Sequence, residues 1–148
     1  MSSVDAAETI EKGLKQLSET IETVCLPVAD GGEGTLEALV AATNGKFIEL
    51  TVCDPIGRKI QARYGVLGDG KTCVIEMAQA SGITLLSEDE RNPLHATTYG
   101  TGQLIDHALG QGYRHFIVGI GGSATNDAGL GMLHALGVKF LDEALKPL

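Results

Sequence analysis

Four stretches of this sequence combine glycine, hydroxyl and carboxyl side chains at spacings that can do chemistry. The first is Val28-Ala29-Asp30-Gly31-Gly32-Glu33-Gly34-Thr35, between a short apolar run and a helical pattern. Ligands of α/β proteins bind where strand ends meet helix starts. Gly31 and Gly32 free backbone N–H groups to face an anion, and a helix start adds partial positive charge. Asp30 and Glu33 add carboxylates that can hold Mg2+ or orient a substrate hydroxyl. The plain structural alternative is an acidic turn with helix-start carboxylates.

The second stretch is Gly119-Ile120-Gly121-Gly122-Ser123-Ala124-Thr125-Asn126-Asp127. It fits the dinucleotide pattern G-x-G-x-x-A, and Asp142 stands 23 residues beyond Gly119, where an acid could bind a ribose. A phosphate site without a dinucleotide fits equally, with Gly121 and Gly122 supplying N–H groups and Ser123, Thr125 and Asn126 donating hydrogen bonds. Asp127 could bind a metal. The third is Thr97-Thr98-Tyr99-Gly100-Thr101-Gly102 before a helical pattern. Ordinary capping explains one threonine, and Thr98 and Thr101 could instead cradle a phosphate or carboxylate. The fourth, Gly65-Val66-Leu67-Gly68-Asp69-Gly70-Lys71-Thr72, matches the P-loop pattern letter for letter. A P-loop must lead into a helix, whereas Thr72-Cys73-Val74-Ile75 favours a strand and Asp69-Gly70 a hairpin turn. The four histidines show no metal-binding spacing, and no Ser-His-Asp or Cys-His arrangement stands out.

The elements that must position these stretches follow from periodicity. Val4, Ala7, Ile10, Leu14, Leu17 and Ile21 mark an amphipathic helix. Residues 24–28 read as a short buried strand, 35–43 as a helix stopped by Asn44-Gly45, and 47–52 as a strand ended by Asp54-Pro55 and Gly57. Residues 59–66 alternate moderately and 72–77 are rich in branched residues; Lys59 to Tyr64 and Thr72 to Met77 should pair antiparallel, with Asp69-Gly70 in the turn and Lys71 in solvent. Residues 79–86 are ambiguous and 87–93 read as a surface loop. A helix is expected at 103–109, a strand at 115–120, a helix at 130–136 stopped by Gly137, and a last strand at 138–141. Strands alternating with helices predict an α/β fold with a mostly parallel sheet, the hairpin at about 46–78 being an inserted antiparallel piece.

Composition bounds the rest. One hundred and forty-eight residues with 43% hydrophobic content suffice for one core. The 20 glycines show no three-residue period, which excludes collagen. A net charge of −8, no Trp and only six Phe and Tyr argue against nucleic acid and anionic membranes as partners. Three cysteines without a C-x-x-C pair, and acids in place of a signal peptide, point to a cytoplasmic protein with reduced thiols.

Taken together and in order, five blocks resemble the bacterial glycerate kinases: residues 30–35, residues 69–82 with the core Ile75-Glu76-Met77-Ala78, Arg91-Asn92-Pro93, residues 97–102, and residues 119–127. Ala128 stands where many members have another glycine. The resemblance spans essentially the whole chain. It implies two α/β domains, one Rossmann-like, with the active site between them, and phosphorylation of glycerate by ATP and Mg2+, usually at the 2-hydroxyl. Phosphoryl-transfer chemistry then leads us to assign the loops at Gly121, Gly122, Ser123, Thr125 and Asn126, and at Thr98 and Thr101, to phosphate or glycerate oxygens. Asp30, Glu33 and Asp127 then hold metal or orient the acceptor hydroxyl, with Asp30 and Asp127 as the Mg2+ ligands. Family members are more than twice as long and begin with a strand and a lysine-bearing loop. The expectation is therefore an N-terminal part of such a kinase, inactive alone and prone to homo-oligomerise through uncovered surfaces. A dinucleotide-binding oxidoreductase module and a non-catalytic binding or assembly fragment remain the other classes.

Overall fold

The turn chemistry at Asp69-Gly70 organises the centre of the molecule. In a computed structural model describing residues 3–26 and 28–147, strand β2 (Lys59–Val66) turns back into β3 (Thr72–Glu76). The two pair antiparallel, Gly65 opposite Val74 and Val66 opposite Cys73. Asp69 closes the turn: Oδ1 accepts the N–H groups of Lys71 and Thr72, and Oδ2 the Thr72 hydroxyl at 2.7 Å. Gly70 takes φ +68°, which costs a glycine little. Lys71 is exposed and a strand follows it, so the P-loop reading fails for want of a helix.

Strand β1 (Lys46–Cys53) pairs antiparallel with β2 along its whole length. The connecting turn is clasped by buried Asp54, whose Oδ1 accepts from Ile56 and Arg58 N–H and whose Oδ2 meets the Arg58 guanidinium. Arg58 also reaches Glu90 and the Leu85 carbonyl, fastening the turn to the 85–90 segment. Strand β4 (His115–Gly119) lies parallel to β3 at the edge, giving the order β1-β2-β3-β4. The sheet is therefore mixed, with two antiparallel pairings and one parallel, where a mostly parallel one was expected. Tight connections force antiparallel neighbours, and only β3 to β4 is separated by enough chain for a crossover.

Strand alternation sends Val74 to one face and Cys73 and Ile75 to the other. Helix α2 (Thr35–Ala42) lays Leu36 and Val40 on Val74. The opposite face buries Val52, Ala62, Tyr64, Cys73 and Ile75 against Leu104 and Ala108 of helix α4 (Tyr99–Gly110). Short helices α3 (Ala78–Ser81) and α5 (Leu130–Ala135) follow β3 and β4. Helix α4 starts four residues before the expected position, so Thr101 sits in its first turn rather than in a loop.

Helix α1 (Ser3–Leu17) forms over most of the predicted pattern but stops before Ile21, and Ile10 and Leu17 remain 64% and 81% exposed. Two expected strands are absent. Residues 21–26 and 28 carry no regular structure, and Pro27 lies outside the described residues. Val24, Leu26 and Val28 are exposed and hydrogen-bond to no neighbouring strand, and an extended segment without a partner satisfies no ladder. At 138–141 only an isolated bridge, Leu141 to Pro147, survives.

Candidate active site

Three of the four stretches converge at the C-terminal ends of the parallel pair β3 and β4. The 31–34 loop and the 119–121 segment touch backbone to backbone. Gly121 N–H donates to the Gly31 carbonyl at 2.7 Å. A Cβ on Gly121 would lie 2.6 Å from Gly32 Cα, and one on Gly119 2.8 Å from the Gly31 oxygen. Real Cβ atoms do not approach so closely, so glycine at 119 and 121 is what allows the two loops to meet. From the other side, Gly122 accepts the Ile83 N–H at 2.8 Å and Ala124 donates to the Ser81 carbonyl at 2.9 Å. The expectation that Gly121 and Gly122 supply N–H groups to an anion is corrected at Gly121, whose N–H is spent on Gly31.

Asp127 is the hub of the third contact. Its Oδ2 accepts Thr98 N–H and the Thr98 hydroxyl at 2.8 Å and Gly131 N–H at 3.0 Å, with the Thr97 hydroxyl at 3.4 Å. Its Oδ1 accepts Gly129 N–H at 3.1 Å. The Thr98 hydroxyl in turn accepts Met132 N–H at 2.9 Å. One carboxylate thus caps the starts of both α4 and α5, where helices leave N–H groups unpaired. Burial opposes ionisation of Asp127, but the donors from Thr98, Gly131 and Gly129 outweigh it and hold the carboxyl below the ordinary aspartate value.

Between these loops lies a cavity of about 360 Å³. It is lined by Thr98, Thr101, Ser123, Thr125, Asn126 and Asp127, with Met77, Val118, Ile120 and Met132 as its apolar wall. Six of the residues singled out from the sequence therefore share one cavity. Thr101 and Ser81 are both buried, with their hydroxyl oxygens 2.7 Å apart. Ser123 Oγ lies 2.8 Å from Thr125 Oγ1 and accepts Thr125 N–H at 3.0 Å. The described lining offers hydroxyls, an amide and one carboxylate, but no Lys, Arg or His.

Asp30 and Glu33 are placed otherwise. Asp30 is exposed and its Oδ1 accepts Gly32 N–H at 2.9 Å. Glu33 accepts the Thr84 hydroxyl at 2.8 Å and lines a second cavity, of about 580 Å³, with Glu37, Glu76, Gln61 and Gln79. That cavity is the larger, but three glutamates repel an anionic substrate, so the hydroxyl-lined cavity is the better candidate. Among the described residues, no three His, Cys, Asp or Glu side chains gather as a metal site. Asp142, expected near a ribose, instead folds a turn by accepting Ala144 and Lys146 N–H at 2.9 Å, and the strand that should present it is missing.

Two residues escaped assignment from sequence. Glu76, 1% exposed, accepts Leu36 N–H at 2.9 Å. Ser81 couples α3 to Thr101. The signal for Glu76 was a lone acid ending an apolar run; Ser81 carried none.

In a mixed sheet covered by helices, glycine-rich loops and a hydroxyl-lined cavity at the ends of parallel strands form the kind of place where α/β proteins bind small ligands. The chain belongs to the glycerate kinase family, whose model matches residues 1–148. It is 52% identical over its whole length to a glycerate kinase of Haemophilus influenzae, and 50% identical over 142 residues to a glycerate 2-kinase of Escherichia coli. It covers 39% and 37% of those proteins, so it spans about two fifths of the relatives it matches. A crystal structure named for glycerate kinase 2 of Salmonella typhimurium LT2 superposes with a TM-score of 0.83 at 45% identity, over 99% of this chain and 38% of that one.

Proposed function

We propose that the protein transfers a phosphoryl group from ATP to glycerate, at the 2-hydroxyl, and that the hydroxyl-lined cavity holds oxygens of glycerate or of the transferring phosphate. The observation that carries this is the convergence of Thr98, Thr101, Ser123, Thr125 and Asn126 on one cavity in a chain of the glycerate kinase family. A three-carbon hydroxy acid suits its volume of about 360 Å³, and the neutral donors of Thr101, Ser123, Thr125 and Asn126 fit carboxylate and phosphate oxygens, while Thr98, whose hydroxyl proton is spent on Asp127, shapes the wall. Phosphoryl transfer asks mainly for positioning and charge neutralisation. The described lining supplies the first and no cation for the second.

The donor set bears on Mg2+. A carboxylate offers about four lone-pair sites. Asp127 already receives donors from Thr97, Thr98, Gly129 and Gly131, so a metal there would have to displace helix caps. Asp30, with one oxygen on Gly32 and an exposed position, fits better. Mg2+ commonly takes one or two carboxylates plus substrate phosphates, and Asp30 would supply one such ligand. The ion would neutralise phosphate charge that the cavity itself leaves uncompensated. Asp127 and Glu33 serve by fixing the 127–131 and 31–34 loops, while Gly31, Gly32, Gly121 and Gly122 let those loops close on one another. The reaction is assigned to the cytoplasm, in keeping with an odd number of cysteines and no C-x-x-C pair.

The test uses the protein from its complete reading frame, incubated with ATP, Mg2+ and D-glycerate and followed by 31P NMR. Accumulation of 2-phosphoglycerate is expected. Absence of any phosphoglycerate, or reduction of NAD by glycerate instead, overturns the reading.

A further inference from the structure

Strand β3 runs through the buried apolar residues Cys73, Val74 and Ile75 and ends on a buried acid, Glu76. A carboxyl group at 1% exposure is costly unless hydrogen-bonded, so its partners are informative. Oε2 accepts Leu36 N–H at 2.9 Å, in the first turn of α2. Oε1 lies 3.3 Å from Gln79 Nε2. Glu76 therefore occupies the helix start that, from sequence, was the expected anion cradle of the 30–35 loop.

The contacts continue without a break. Thr35, the residue before Leu36, accepts Gly31 N–H on its hydroxyl at 3.0 Å. The Gly31 carbonyl accepts Gly121 N–H at 2.7 Å. Gly121 opens the segment that carries Ser123, Thr125 and Asn126 into the cavity. Met77, the neighbour of Glu76, donates to the Gly119 carbonyl at 3.0 Å and lines the cavity itself. Glu76 thus sits at the root of two routes to one loop: through Met77 to Gly119, and through Leu36, Thr35 and Gly31 to Gly121.

We infer that Glu76 is a positioning residue for the candidate site. By filling the start of α2 it fixes the 31–34 loop, and through that loop the register of the 121–126 segment at the cavity. This rests on the kinase reading for its consequence in catalysis, but not for the contacts themselves. Thr35 is the second link in the same chain.

The test pairs disruptive with conservative variants. Glu76→Leu keeps bulk and removes the acceptor, whereas Glu76→Gln keeps an acceptor oxygen for Leu36 and an amide for Gln79. Thr35→Val and Thr35→Ser make the same contrast at the second link. In Glu76→Leu, amide hydrogen exchange at Gly31 and Gly121 is expected to quicken about tenfold, the worth of one buried hydrogen bond. For the protein from its complete reading frame, kcat/KM for glycerate phosphorylation, measured per folded molecule well below the melting temperature, should fall by about tenfold or more. Glu76→Gln and Thr35→Ser should stay within about threefold of wild type in both readouts. A purely structural role would lower the melting temperature and leave kcat and KM of the folded molecules unchanged; that result overturns the inference. Should Glu76→Leu fail to fold, Thr35→Val decides: unchanged exchange at Gly31 and Gly121 overturns the proposal. Should the wild-type protein phosphorylate no glycerate, the kinase reading fails alone, and the exchange measurement upholds or overturns the positioning chain.

Discussion

Asp127 shows how a residue picked out for chemistry can act by architecture. Acids followed by glycine-rich helix starts read as metal or anion sites, yet here the carboxylate satisfies the starts of two helices at once. Removing such a cap typically costs about 1–2 kcal/mol, and Asp127→Asn, which keeps one acceptor oxygen but turns N–H toward N–H donors, should cost about 2 kcal/mol at neutral pH. The melting temperature would fall by about 4–8 °C. The sign of the pH dependence follows from the folded carboxyl lying below its ordinary value of 3.8. Its contribution is fully present above that value and is lost as pH falls through the lower folded value. Unfolding curves of the two proteins should therefore differ at pH 7 and draw together in acid. A difference that grows in acid would defeat this account of Asp127.

At the scale of elements, what was legible in the sequence is what local chemistry dictates. The Asp69-Gly70 turn fixes a hairpin through bonds spanning two or three residues, so the hairpin, and with it the failure of the P-loop pattern, could be read in advance. Helices α1, α2 and α5 likewise follow from periodicity and glycine stops. The strands at 24–28 and 138–141 were misread because an apolar run is only a strand when another strand pairs with it, and pairing is not local. The same limit hid the role of Glu76, whose partner Leu36 lies 40 residues earlier. For the candidate site, residue types and glycine spacing picked out loops that meet in the fold, but not that Asp127 is spent on capping or that Glu33 faces a different cavity. Because Lys71 lies in a hairpin turn at the far end of β3 from those loops, Lys71→Ala should leave glycerate phosphorylation within about twofold and stability within about 0.5 kcal/mol. A P-loop lysine would instead cost orders of magnitude in turnover, which a steady-state assay distinguishes at once.

For the molecule as a whole, the distribution of apolar surface matters more than its amount. The core between the sheet and α4 is closed, with Tyr64, Cys73, Ile75 and Leu104 all at 0% exposure. Around β4 the situation reverses. That strand lies at the end of the sheet order, Ile117 and Val118 are 42% and 41% exposed, and Ile120 just beyond it is 75% exposed. Val24, Leu26 and Val28 add further uncovered side chains from a segment that pairs with nothing regular. An edge strand with free backbone donors and acceptors and an apolar face is a template for another strand, and a net charge of −8 opposes association only over the screening distance of about 8–10 Å. The 148-residue chain in solution should therefore self-associate, with a sedimentation coefficient that rises with concentration through the micromolar range. Ile117→Lys, which puts a charge on that edge, should shift the equilibrium back toward monomer by about tenfold or more without disturbing the α4 core. A chain that sediments as a monomer at about 100 µM would show that the β4 edge is protected by its own twist and surroundings rather than awaiting a partner.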